Sequence, residues 1–565
     1  MTRLTLPAPV VVIGAALWMA AAGNLPLWHK LRALGMLDGV RGALFGLAML
    51  LMIGAALTAM LSLFAWRRTL KPAVALLFMV TALASYFMSS YGVVVDADMV
   101  TNVLQTDAHE AGALLSWQFF ASLLWMALVP IAALWRPGVR YGSVGRQLLH
   151  NLLLALAALA ILAAAVLAAF QPMASLMRNH KDIRYLLNPL ASVYAVARVA
   201  GAPLQRAPGP LQSVGEDATL AAHERPRILM LVLGESARSG NFAINGYGRP
   251  TTPALQREDV ASFGNAWSCG TSTAASLPCM FSDLTREQYI GSTARRENLL
   301  DLLQRAGLAV LWIDNQSGCK GVCERVPKAS TADGRATRFC SGGECFDEAL
   351  LDGLDERLAA LDPERSRRGV VLVLHQMGSH GPAYHLRSPP AHKPFLPECR
   401  DPMLQNCSTQ SLLNAYDNSI AYTDHFLAQA IAWLTRKDAV ADTALLYVSD
   451  HGESLGENNL YLHGMPYALA PDVQKRVPWI SWASPGWQRA TGLSMDCLRQ
   501  RAGQPVSHDH YFHAVLGLAD VRTSAYSTLL DPYAGCRRLP PAGAPEIAFR
   551  SRHTETNAAE TGFMR

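Results

Sequence analysis

The hydrophobic pattern divides the chain into two halves. Up to residue 171, apolar residues run almost unbroken through five stretches near 9–28, 42–65, 72–91, 115–135 and 149–171. Each approaches the roughly 20 apolar residues that cross a hydrocarbon core. A cleavable leader has one such stretch, not five, so the pattern predicts five transmembrane helices. From Arg227 onward the apolar residues come in short, strand-like runs: ILMLVL (228–233), AVLWI (309–313), VVLVL (370–374) and ALLYV (444–448). Helical candidates at 297–306, 346–361 and 411–436 separate them. Runs of this kind mark strands buried on both faces. Their alternation with helices predicts an α/β domain around a mostly parallel sheet.

Between the halves, residues 171–200 mix apolar positions with Arg178, Lys181, Arg184 and Arg198, as helices lying in the headgroup layer do. A plain solvated linker is the alternative. GAPLQRAPGP (201–210) has the composition of a flexible connector. The expected organisation is a membrane domain over 1–171, interfacial helices and linker over 172–225, a catalytic α/β domain over 226–548, and a disordered tail over 549–565.

Charge sets an expected orientation. The loop between spans two and three carries Arg67, Arg68 and Lys71, and that between four and five carries Arg136, Arg140 and Arg146. The loop between three and four is acidic, with Asp96, Asp98, Asp107 and Glu110. Basic loops stay cytoplasmic, so the N-terminus is expected inside and the large domain outside. Lys30, Arg32 and Arg41 in the first loop oppose this and are outvoted. Charged residues make up only 16% of the chain, against about 25% in soluble proteins, which fits a membrane protein. All ten cysteines follow residue 268, as disulfides in an oxidising compartment would. Proximity pairs Cys269 with Cys279, Cys319 with Cys323, Cys340 with Cys345 and Cys399 with Cys407, leaving Cys497 and Cys536. A zinc site built from Cys319, Cys323, Cys340 and Cys345 is the alternative.

The chemistry gathers where the apolar runs stop. They are followed by Gly234-Glu235-Ser236, by Asp314-Asn315, by His375 with Gly378-Ser379-His380, and by Asp450-His451. In α/β sheets the carboxyl ends of the strands are where sites form. Asp450 and His451, with Glu235 from another strand, supply three ligand types suited to zinc. A nucleophile is available in SCGTSTAASLPCMFSD (268–283), where Cys269 and Cys279 can staple a loop around Thr271, Ser272 and Thr273 at the start of a helix. A hydroxyl held by zinc would have its pKa lowered, and helix amides attract phosphate. Spacing does not choose among the three hydroxyls, and capping of the helix is the alternative role.

These residues lie in strings that resemble the lipid A phosphoethanolamine transferases, the family that includes the mobile colistin-resistance enzymes. The strings are GESARSGNFAINGYGRPTTP (234–253), SCGTSTAASLPCMFSDL, WIDNQSGCKGVC (312–323), HQMGSHGPAY (375–384), YDNSIAYTD (416–424) and SDHGESLGENNLYLHGMPYALAP (449–471), so the resemblance covers nearly the whole chain. GESAR and CGTST stand where relatives often show GETSR and CGTAT. The resemblance implies an alkaline-phosphatase-like domain in which Glu235, Thr273, Asp450 and His451 bind zinc and Thr273 is the nucleophile. Lys320, His380 and His463 match residues that hold substrate phosphate or a second metal ion. Asn315 and His375 are weaker candidates nearby, Glu453 stands behind the ligands, and Cys497 would pair with Cys536. The resemblance further implies one tightly held Zn2+ with a second during turnover, phosphatidylethanolamine as donor and lipid A phosphate as acceptor, and polymyxin resistance as the consequence. It places a monomer without nucleic-acid partners in the inner membrane, its catalytic domain periplasmic. The lipopolysaccharide core (Kdo or heptose) is the alternative acceptor. A sulfatase reading fails because Ser276-Leu277-Pro278 continues into Cys279-Met280 without the arginine of a C/S-x-P-x-R motif. A degenerate envelope sensor fails against the complete ligand set.

Overall fold

A computed structural model describes residues 5–106, 111–112, 114–205, 209–334, 337–341 and 344–537. The expected tail over 549–565, Asp107, Glu110 and residues 206–208 of the connector lie outside the described residues.

The four apolar runs form the centre of one eight-stranded sheet. Its strands are β1 (Arg227–Gly234), β2 (Ala261–Trp267), β3 (Ala309–Asp314), β4 (Lys328–Ser330), β5 (Val370–His375), β6 (Asp442–Ser449), β7 (Arg476–Ala483) and β8 (Val506–Ser507). They lie side by side as β8-β2-β7-β6-β1-β5-β3-β4. Only β7 runs against the rest. Along β1 the pleat sends Leu229, Leu231 and Leu233 into one core and Ile228, Met230 and Val232 into the other. Both faces are therefore covered, and each fully buried aliphatic side chain contributes about 1.5–3 kcal/mol. The helix Thr409–Lys437 covers one face with Leu412, Tyr416, Ile420 and Phe426, while Leu299–Arg305 and Tyr511–Leu518 cover the other.

Among the described residues, the N-terminal part holds five helices long and apolar enough to cross a membrane: Ala8–Ala33, Gly39–Ser62, Leu70–Tyr91, Trp117–Trp135 and Val144–Ala168. The first is interrupted at Ala22–Asn24, where a buried amide pair ties it to the segment after the fifth helix. Asn24 Nδ2 donates to the Asn188 carbonyl at 2.6 Å, and Asn188 Nδ2 donates to the carbonyls of Gly23 and Thr81. The segment after the fifth span forms the helices Phe170–Asn179 and Leu190–Gln205. The packing of the sheet domain starts before residue 226. Val214 and Ala218 are buried in the sheet's core, and Thr219–Leu220 pairs with Val521–Arg522.

The two halves meet on one side of the membrane helices. A short helix, Ala97–Gln105, from the loop between spans three and four packs against the helix Thr273–Met280. Leu460, Met465, Leu469 and Ala470 pack against the membrane helices. Met403 inserts between Tyr86, Tyr91 and Val93.

Candidate active site and metal centre

Register alone brings two carboxylates together. In the parallel pair β1–β6, Gly234 lies opposite Ser449, so Glu235 and Asp450 leave adjacent strands side by side. The same edge collects His375, opposite Asp314 across β5–β3. Glu235, Asp450 and His451 are fully buried, and one ligand atom from each falls within 4.8 Å of the others. His451 Nε2 stands 3.3 Å from Glu235 Oε1 and 3.4 Å from Asp450 Oδ2.

Thr273 reaches this cluster from outside the strand edge, as the first residue of its helix. Its Oγ1 donates to Glu235 Oε2 at 3.0 Å and lies 3.4 Å from His451 Nε2. The structure thereby separates the three hydroxyls. Thr271 spends its own on the Met465 carbonyl, Ser272 is the N-cap residue, and Thr273 faces the carboxylates.

These four residues fit a metal ion. Tetrahedral bonds of about 2.0–2.1 Å set ligand atoms about 3.3 Å apart, the separation found between His451 Nε2 and each carboxylate. His451 Nδ1 donates to the Gly452 carbonyl at 2.9 Å, which leaves the Nε2 lone pair aimed at two carboxylate oxygens. Acceptors facing acceptors in a buried site require a cation or a proton between them. Asp450 Oδ2 is buried and accepts no hydrogen bond. Electrostatics agree. Burial disfavours charge on His451, yet Asp450 and Glu235 raise its pKa to about 10. Burial and the neighbouring Glu235 push Asp450 up to about 6. Glu235 is pulled well below the usual carboxylate range, the hydrogen bond and charge of His451 outweighing its burial.

The surroundings hold these side chains in place. Ser236 Oγ and Gln316 Nε2 donate to Glu235, and the backbone amides of Ser236 and His451 donate to Asp450 Oδ1. Gly378, at φ +54°, carries the loop after β5 so close that a Cβ there would meet the Glu235 carbonyl oxygen at 2.8 Å. His508 was not singled out in the sequence, where nothing in QPVSHDHYFH signals a role. It is buried, accepts from the Cys269 amide at Nδ1 and donates from Nε2 to the Ser449 carbonyl. It thus ties the Thr273 loop to the Asp450 strand.

Other sequence candidates are distributed unevenly. The His463 ring lies 4.3 Å from that of His451 and 5.7 Å from that of His380, and Glu453 supports His463 at 3.3 Å. His375 bonds Asp314 at 2.8 Å, and its buried Nε2 has no hydrogen-bond partner. Lys320 Nζ is bound to Ser317 Oγ at 2.8 Å and to the Gln105 carbonyl at 3.2 Å. Asn315 is not brought to the cluster by any contact: its amide serves Cys345, Asp347 and Thr331. The cysteines form the bridges Cys269–Cys279, Cys319–Cys323, Cys340–Cys345, Cys399–Cys407 and Cys497–Cys536, with none left free. The four-cysteine zinc alternative is therefore excluded, its thiols being consumed in pairs.

Comparison with known proteins agrees with this architecture. The family model described as phosphoethanolamine transferase EptA/EptB matches residues 53–203, and the sulfatase model matches 227–521. The phosphoethanolamine transferase EptA of Escherichia coli K12 is 37% identical over 545 residues, 93% of this chain and 96% of the relative. The chain belongs to the phosphoethanolamine transferases. The transferase is also 38% identical to the phosphatidylethanolamine transferase Mcr-1 of Escherichia coli, over 91% of this chain and 95% of that one. The integral membrane lipooligosaccharide phosphoethanolamine transferase A of Neisseria meningitidis superposes with a TM-score of 0.90 at 32% identity, covering 95% of this transferase and 100% of that structure.

Proposed function

We propose that this transferase moves phosphoethanolamine from phosphatidylethanolamine to a lipid A phosphate through a covalent intermediate on Thr273. The observation that carries the reading is the convergence of Thr273 Oγ1 with Glu235 and His451 at 3.0 and 3.4 Å. Zn2+ held by Glu235, Thr273, Asp450 and His451 would supply Lewis-acid activation of the hydroxyl.

Thr273 Oγ1 attacks phosphorus, the P–Oγ1 bond forms and the bond from phosphorus to the glycerol oxygen breaks. The proton lost by Thr273 is taken up by the diacylglycerol oxygen that leaves. An oxygen of a lipid A phosphate then attacks the same phosphorus, the P–Oγ1 bond breaks, and the proton given up by that phosphate restores the Thr273 hydroxyl. Lys320, His380 and His463 are assigned to the phosphoryl oxygens, where preorganised donors contribute about 3 kcal/mol each. His375 and Asn315 remain further from this role, and Glu453 orients His463.

The catalytic domain is read as periplasmic and the N-terminus as cytoplasmic. This reading is supported by the count of five spans, with which the basic loops and the N-terminus would face away from the loop that touches Thr273's helix. Both substrates are lipids, and the packing of Leu460, Met465, Leu469 and Ala470 against the membrane helices supports a site near the bilayer surface. Lipid A is favoured over core sugar because the relatives named Kdo(2)-lipid A phosphoethanolamine 7''-transferase are only 27% identical in Escherichia coli K12, against 37% for EptA. Adding an ammonium to an anionic surface weakens the binding of cationic peptides such as polymyxin. Mass spectrometry of lipid A from cells expressing wild type and Thr273→Ala tests the reading. Phosphoethanolamine on lipid A with wild type alone supports it, and modification confined to core sugar contradicts it.

A further inference from the structure

A second group of ligand-type side chains lies apart from the buried centre and shares no residue with it. Glu348 comes from the turn Asp347–Leu350, His392 from the turn Pro390–His392, and His425 from the helix Thr409–Lys437. One ligand atom of each lies within 4.8 Å of the other two. Glu348 Oε1 stands 3.3 Å from His425 Nε2, again the spacing of two ligands on a tetrahedral zinc. The rings of His392 and His425 are 4.1 Å apart and tilted by 36°.

We propose that Glu348, His392 and His425 form a metal site for a borderline divalent cation of the zinc class, with water completing the coordination. Two imidazoles and one carboxylate are the donor set such cations select. The carboxylate is oriented for it. Tyr422 Oη donates to Glu348 Oε2 at 3.0 Å, which leaves Oε1 turned to His425. Tyr422 also stacks on the His425 ring, 6.1 Å away at 18°, and so fixes its plane. Fixing ligand orientation from behind in this way is a regular feature of metal sites.

The bound ion would pin three segments distant in sequence. One is the 347–350 turn, whose Asp347 accepts from the Met377 and Gly378 amides in the loop after β5. Another is the excursion between β5 and the long helix, which carries Met403 to Tyr86 and Ser116 of the membrane domain. Occupancy is therefore expected to stabilise the loop beside the active site and the docking of the two domains, without taking part in group transfer.

Metal content and thermal stability of the full-length protein in detergent test this. The protein is stripped with a chelator and titrated with Zn2+, and in parallel with Co2+ followed by its absorption spectrum. Wild type is expected to hold one more equivalent than His392→Gln or the double variant His392→Gln/His425→Ala, and to gain melting temperature from that equivalent. Tyr422→Phe is expected to weaken the added site about 10-fold. His392 is half-buried in a short turn, so His392→Gln decides the matter even where the double variant folds poorly. Equal stoichiometry and equal Zn2+ stabilisation in wild type and His392→Gln would overturn the proposal. Transfer activity, which depends on the Glu235 centre, is read separately, so failure here leaves the proposed function standing.

Discussion

Ser276 donates its hydroxyl hydrogen to the main-chain carbonyl of Asp450 at 2.5 Å. The helix that begins at Thr273 is thus fastened, one turn on, to the strand end that presents the metal-type ligands. This bond and those of His508 hold Thr273 in position against the carboxylates.

Ser276→Ala leaves that carbonyl without its donor, and a buried polar group left unpaired costs about 1–3 kcal/mol. Transfer is expected to fall at least about 10-fold, because a small displacement of Thr273 from the reacting phosphorus is costly. Rate assays beside thermal melts check this. An unchanged rate would show that the helix is held by other contacts.

His508 predicts an acid limb of stability. Burial, with the charge of His451, lowers its pKa from 6.5 to about 3. Below pH 6.5 the unfolded chain takes up a proton that the folded chain refuses, so stability is lost as pH falls from about 6.5 toward 3. Melting temperatures from pH 7.5 to 5 should fall in wild type and less steeply in His508→Asn. Parallel slopes would remove His508 from the account.

Metal binding at the buried centre should release a proton. Without metal, His451 has a pKa of about 10, so Nε2 is protonated at pH 7.5 and must lose that proton to become a ligand. Calorimetric Zn2+ titration in two buffers of different ionisation heat is expected to report about one proton released per ion bound at this centre. Zn2+ should also restore transfer after chelation. Proton-neutral binding would contradict the ligand role of His451.

The bridge Cys269–Cys279 encloses Thr273. Its small loop constrains the unfolded chain by about 3 kcal/mol at most, so Cys269→Ser/Cys279→Ser should cost transfer rate more clearly than melting temperature. Loss of folding instead would assign the bridge a global role.

The sheet edge was legible because an apolar run announces a strand and the residue after it lands on the carboxyl edge. Glu235, Asp450, His451 and His375 all follow that rule. Asn315 obeys it too, yet its amide is consumed by Asp347 and Thr331, because the rule gives position and says nothing of partners. Thr273 was distinguished from Thr271 and Ser272 by resemblance alone. In the fold, Met465 takes the Thr271 hydroxyl and the helix start turns Thr273 inward. His508, and the trio Glu348, His392 and His425, were not visible. Their partners are far away in sequence and no local pattern marks them. Strand β7, the one antiparallel member, also passed unnoticed, since its run RVPWISWA has the proline and aromatic mixture of a loop as much as of a strand.

The central claim is tested most directly by incubating the purified full-length protein with Zn2+ and phosphatidylethanolamine, without acceptor, and sequencing its peptides by mass spectrometry. One phosphoethanolamine group is predicted on Thr273, removed when lipid A is added and absent from Thr273→Ala. Labelling of another residue, or transfer by Thr273→Ala at the wild-type rate, would contradict the account.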